Sequence, residues 1–144
     1  MAISSRFSVA VHILSLLDLE KEGRITSEFI AGSVNTNPVV IRRIMGMLSR
    51  AELVMTSAGV AGARLARPLA EITLLDVYRA VQVDISDELF SIHSNPNPEC
   101  PVGRNIQSTL ESSFTRAQSA MEKELSSITM EQVVSDLVQR ESAK

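Results

Sequence analysis

Apolar side chains recur along this chain mostly at helical spacing, and the breaks between the runs fall on asparagine, proline and glycine. Phe7, Ala10, Val11, Leu14 and Leu17 make one stripe, while Val9, Ile13 and Leu16 make a second on the same segment. A helix apolar on so much of its circumference is buried on more than one side. It is expected to open at residues 4–7, run to about Glu22 and stop at Gly23. A short helix then follows a capping residue in Ile25-Thr26-Ser27-Glu28, and Asn35-Thr36-Asn37-Pro38 breaks it. Asn37 accepts from free amides at a new helix start, and Pro38 suits the first helical position, where its missing N–H costs nothing. On the next helix Ile41, Ile44, Met45 and Leu48 share one face, leaving Val39, Arg42, Arg43, Gly46 and Arg50 on or near the other.

Residues 53–56 and 63–66 read as two short strands around a tip at 57–62, where two glycines mark a hairpin. The pattern is that of a helix-turn-helix followed by a wing. Ile72-Thr73-Leu74-Leu75-Asp76-Val77 then starts a helix with Thr73 as cap, Asp76 reaching back and Ile72 stapling against Val77. Ile128-Thr129-Met130-Glu131-Gln132-Val133 repeats the device; these are two helix starts, not a sequence repeat. Between them, Asn95-Pro96-Asn97-Pro98 excludes helix and closes an irregular stretch over residues 84–99. From Pro101, a stripe of Val102, Ile106, Leu110, Phe114, Ala117, Met121 and Leu125 spans about six helical turns, more than a small core needs. A symmetric dimer built on this helix is expected, the alternative being that it packs back on the first helix.

The expected fold is mainly α with a small β-hairpin wing: a winged helix-turn-helix unit over 1–83, a sensor-type loop over 84–100, and a dimerisation helix plus C-terminal helix over 101–144. At 144 residues and 44% hydrophobic, the chain buries one ordinary core. No apolar run approaches the roughly 20 residues that span a bilayer, and the N-terminus has no signal pattern, so a soluble cytoplasmic protein is expected. The net charge of −3 hides an asymmetry. Residues 37–67 carry +4, whereas residues 68–144 carry −6 and residues 1–36 carry −1. Positive charge gathers on the second helix of the helix-turn-helix and on the wing, where a polyanion would be met; a merely solvated face is the plainer reading.

Ser4, Ser5 and Arg6 can meet phosphate at a helix N-terminus, or the serines can simply cap it. His12 has no second ligand at metal spacing and is read as structural. One cysteine excludes an intrachain disulfide and any all-cysteine metal site within one chain. Neither a phosphate-cradling glycine loop nor a sequence-local nucleophile motif is present, so no enzyme is expected. A DNA-binding regulator and a winged-helix module for protein partners remain open, and salt dependence separates them. The loop at 84–98 also leaves room for a small effector or a partner enzyme.

Ser5-Arg6-Phe7-Ser8-Val9-Ala10, Ile25-Thr26, Ile30-Ala31, Ile44 through Leu48, Leu53-Val54, the Gly59 to Arg67 wing, Ile72 to Val77 and Cys100-Pro101-Val102-Gly103 together resemble the Rrf-two family of bacterial winged-helix regulators. The likeness covers nearly the whole chain. It implies a homodimeric DNA-binding transcriptional regulator, a repressor, that binds an imperfect palindrome on double-stranded DNA. Carried onto this sequence, the groove-facing residues are Asn37, Val39, Arg42 and Arg43, and the wing residues are Gly59, Gly62 and Arg64. Ser5, Arg6, Arg50, Arg64 and Arg67 are assigned to phosphate. The wing departs from the family: Ala58, Ala61-Gly62 and Ala63 stand where an arginine, a glycine pair and an aromatic are usual. Glu52 stands where glycine is usual, at a cost of about 1 kcal/mol if the backbone there takes a positive φ.

Cluster-binding members use three cysteines before the long helix, and only Cys100 is present here. No metal or cofactor is expected. Cys100 is first expected to be a small buried apolar residue. The alternative is a redox thiol, since a helix start at Pro101 would favour its thiolate and oxidation could then give a sulfenic acid or an intermolecular disulfide.

Overall fold

The computed structural model describes residues 1–20, 25–57, 59–83 and 90–144. Its elements are α1 (Ile3–Leu19), α2 (Ser27–Val34), α3 (Pro38–Arg50), β1 (Val54–Ser57), β2 (Val60–Leu65), a 3-10 turn (Leu69–Glu71), α4 (Leu74–Val81), α5 (Pro101–Ser126) and α6 (Met130–Ser142). The chain is mainly helical with one antiparallel hairpin, a winged helix-turn-helix. Among the described residues no helix is long and apolar enough to cross a membrane.

α1 starts and ends earlier than its pattern predicts. Its N-cap is Ala2, which offers no capping side chain, so Ser4 and Ser5 lie inside the first turn. Glu20 closes it, and the expected stop at Gly23 lies outside the described residues. As its two stripes require, Ala10, Ile13, Leu14 and Leu17 are buried, with Phe7, Val9, Val11 and Leu16 packed at the margin.

The turn of the helix-turn-helix is set by two asparagines. Asn35 ends α2 in the left-handed region, at φ 66°. Asn37 caps α3 by accepting from the Val39 amide at 2.8 Å, with Pro38 in the first turn. Thr26 caps α2 in the same way, accepting from Phe29 N–H at 3.1 Å. α3 then buries Ile41, Ile44, Met45 and Leu48 and exposes Val39, Arg42, Arg43 and Arg50. Met47, which is outside that stripe, is in the core as well.

Glu52 follows α3 at φ 61°. Its amide donates to Ser49 O at 3.0 Å and the Leu53 amide to Leu48 O at 2.9 Å, the paired bonds of a Schellman motif. Leu48 and Leu53 are fully buried on either side of it, which holds a glutamate where glycine is preferred. Ser57 already pairs with Val60, so the hairpin tip is shorter than expected. Ile25 adds an isolated bridge to Ala63, tying the entry of α2 to the wing.

α5 is 26 residues long, about 39 Å at the usual rise, and it buries none of them. Its stripe is half-buried from Ile106 to Leu125, and Val102 is 67% exposed. Phe90, in the irregular stretch before it, stacks on Phe114 with centroids 5.4 Å apart. The first part of that stretch, residues 84–89, lies outside the described residues.

Candidate nucleic-acid interface

An exposed α3 face and the hairpin beside it form a groove of about 500 Å³, with Arg42, Gly46 and Arg50 on one wall and Thr56, Gly62 and Ala63 on the other. Ser27, at the start of α2, and Ser49 add hydroxyls to the same space. Two guanidinium groups and three hydroxyls facing one concavity form a donor set suited to phosphate oxygens. The helical pattern placed Arg42 and Arg50 on one face. It gave no sign of Ser27, Ser49 or Thr56, which reach the groove only because α2 and the wing flank α3.

The remaining candidates divide by position. Val39 is 52% exposed on α3, an apolar surface of the kind that meets a thymine methyl. Arg43 is exposed beside it. Asn37 has already committed its carboxamide oxygen to the Val39 amide, which leaves its NH₂ group for a base edge or phosphate. Arg42 meets Glu28 of α2 at 3.4 Å, both side chains well exposed. Arg64 is exposed on β2 opposite Met55. Gly59 and Gly62 have φ of 74° and 94°, so the wing backbone there needs residues that tolerate the left-handed region.

Ser5 is exposed, in the first turn of α1. Arg6 stands apart from α3: its Nε donates to the Val81 carbonyl at 3.2 Å and its Nη1 to the Met1 carbonyl at 2.9 Å. Arg67 lies at the base of the wing, 3.8 Å from Asp76. His12 links α1 to α2 through Ser33 Oγ at 2.8 Å, a structural contact.

Cys100 is not buried; it is the exposed N-cap of α5. The backbone amides of Gly103 first, then of Val102, hold its thiol pKa below the ordinary value, although neither closes a full capping bond on sulfur. Gly103 allows this approach. A Cβ there would collide with the Asn97 backbone carbonyl, so the loop before Cys100 and the first turn of α5 fit only with glycine.

Comparison with known proteins gives consistent matches. Residues 3–136 fit the Rrf2 family, described as an iron-dependent transcriptional regulator. YwnA of Bacillus subtilis, named as an HTH-type transcriptional regulator, is 50% identical over 135 residues, covering 94% of this chain and 98% of its own. A solved structure of a protein named as DNA-binding is 45% identical, with a TM-score of 0.72 over 89% of this chain and 97% of the other. A transcriptional regulator of Lactobacillus plantarum superposes with a TM-score of 0.76 at 29% identity, over 96% of this chain and 97% of the other. The family description names iron. The chain has one cysteine, and among the described residues no three His, Cys, Asp or Glu side chains gather. A cluster held by three cysteines of one chain does not fit these residues.

Proposed function

The chain belongs to the Rrf2 family of DNA-binding transcriptional regulators, and from that premise we propose that it acts in the cytoplasm as a homodimeric repressor, not an enzyme, reading an imperfect palindrome. The observation that carries the reading is the groove between α3 and the wing, where Arg42 and Arg50 converge with three hydroxyls. A DNA backbone phosphate sits in that groove against Arg42 and Arg50 while Val39 and Arg43 enter the major groove. The α2 N-terminus opens on the same space through Ser27 and favours the same negative charge.

The dimer is supported by α5. A helix about 39 Å long whose apolar stripe holds no buried residue calls for a partner helix, and a second copy supplies the second recognition helix that a two-fold operator needs. Repression is what the family resemblance implies, and with one cysteine the trigger is not a cluster held by three cysteines of one chain.

Cys100 supports a thiol trigger for that change, since it is exposed and its thiolate is favoured. Oxidation would convert the thiolate to a sulfenic acid, or join two chains through a disulfide.

The test is binding of the reduced protein to fragments of its own upstream DNA at two salt concentrations, with and without a mild oxidant. Fragment-selective, salt-sensitive binding is expected. No binding at either salt would overturn the DNA reading. Loss of binding on oxidation, retained by Cys100→Ser, is expected of the thiol trigger; equal loss in both would remove Cys100 from that role.

A further inference from the structure

The C-terminal helix α6 packs on the 3-10 turn and on α1, leaving an open groove of about 730 Å³ that reaches the base of the wing at Leu65 and Arg67. Its size is within the range of small-molecule sites, about 300–1,000 Å³. Leu69 and Val134 form an apolar floor, both largely buried. Arg67 lines one side, and Asp18 of α1 with Glu131 and Ser135 of α6 line the rest.

Arg67 is the guanidinium that lines this groove. Its Nε is shut off from solvent with no hydrogen-bond partner, and its nearest carboxylate, Asp76 Oδ2, is 3.8 Å from Nη2, beyond hydrogen-bond distance. That oxygen already accepts from the Thr73 amide at 2.9 Å. The side chain as a whole is 38% exposed and lines the groove, so the outer donors of its rigid fork are open to a ligand there. A planar carboxylate matches the fork. The groove also carries two carboxylates of its own, so a phosphate or a simple anion would be repelled, whereas a molecule with an ammonium next to its carboxylate meets opposite charge at both ends.

We infer that this groove binds a small zwitterion of the α-amino-acid class, its carboxylate on Arg67, its ammonium toward Asp18 and Glu131, and its side chain on Leu69 and Val134. Arg67 follows β2 by two residues, so the ligand anchors the base of the wing. That coupling rests on the regulator reading above; the binding itself does not.

The experiment titrates the full-length protein, without DNA, with each common α-amino acid by thermal shift and calorimetry. At least one is expected to bind saturably, and its deaminated and decarboxylated analogues to bind at least about tenfold more weakly, because each loses one charge-assisted contact. Arg67→Gln and Asp18→Asn should each weaken binding similarly. Ser135→Phe, on the exposed face of α6, should block the groove without touching any charge. Binding by none of the amino acids, equal binding of the deaminated analogue, or full affinity in both Arg67→Gln and Ser135→Phe would each overturn the inference. Operator affinity is read separately, so failure of DNA binding and failure of ligand binding are distinct results.

Discussion

Thr73 and Thr129 face each other as an antiparallel bridge, and each is the N-cap of its own helix. Each hydroxyl accepts from the amide three residues on, and Asp76 and Gln132 reach back to the cap amides, both at 2.9 Å. The first amide of each helix then crosses over: Leu74 N–H donates to Ile128 O at 2.8 Å, and Met130 N–H to Ile72 O at 2.7 Å. Amides that a helix start normally leaves free are thus satisfied reciprocally. The junction ties α4, which follows the wing, to α6, and the fully buried Ile72 and Met130 seal it.

Thr73→Ala and Thr129→Ala should each lower stability by about 1 kcal/mol, the usual cost of a lost cap. Because the caps share one bridge, the double variant should depart from additivity by about 0.5 kcal/mol or more. A denaturant double-mutant cycle measures this; strict additivity would mean that the two caps work independently.

Glu52→Gly should raise stability by about 0.5–1 kcal/mol, because the left-handed position closing α3 opposes a side chain with Cβ. Glu52→Ala should bring no such gain. The comparison is made by thermal or urea unfolding, and equal gains would point to the lost charge instead of the backbone.

On DNA, Arg50→Ala should weaken binding to operator and unrelated sequence alike and flatten the salt slope by about 1. Arg43→Ala should weaken operator binding, and unchanged affinity would remove its assigned role. Glu28→Gln should have the opposite effect to Arg50→Ala, since it removes the carboxylate paired with Arg42 and frees a cation at the interface. Affinities measured across a salt series decide both.

The Cys100 thiol should react with iodoacetamide with a midpoint pH below that of the same protein in denaturant, since the Gly103 and Val102 amides favour the thiolate. A folded pKa below the unfolded value means this stabilisation is fully present above the unfolded pKa and is lost as pH falls through the folded one. Gly103→Ala should push the midpoint back up by displacing the loop at Asn97. An unchanged midpoint in that variant would rule out Gly103 as the cause.

The local grammar of this chain was readable because its signals are short-range. Asn37-Pro38, Thr73 with Asp76, and Thr129 with Gln132 lie within one turn of each other, so the helix starts follow from residue chemistry alone. The buried face of α3 followed from periodicity, and with it the placement of Val39, Arg42, Arg43 and Arg50 outside. The order of these elements was also enough for the family resemblance.

What remained was decided by neighbours far apart in sequence. Met47 sits at the edge of the α3 stripe, and only the surrounding packing makes it core. Arg6 also holds the Val81 carbonyl at the end of α4 with its Nε, a contact the sequence did not display. Cys100 is the exposed N-cap of α5, and the Asn97 backbone packs against Gly103 one turn on. The meeting of Thr73 with Thr129, and the groove that Arg67 lines together with Asp18 and Glu131, depend on how α6 returns to the wing. Caps and stripes are fixed by bonds spanning a few residues, which sequence displays; a site is made by surfaces that touch only after the chain has closed on itself.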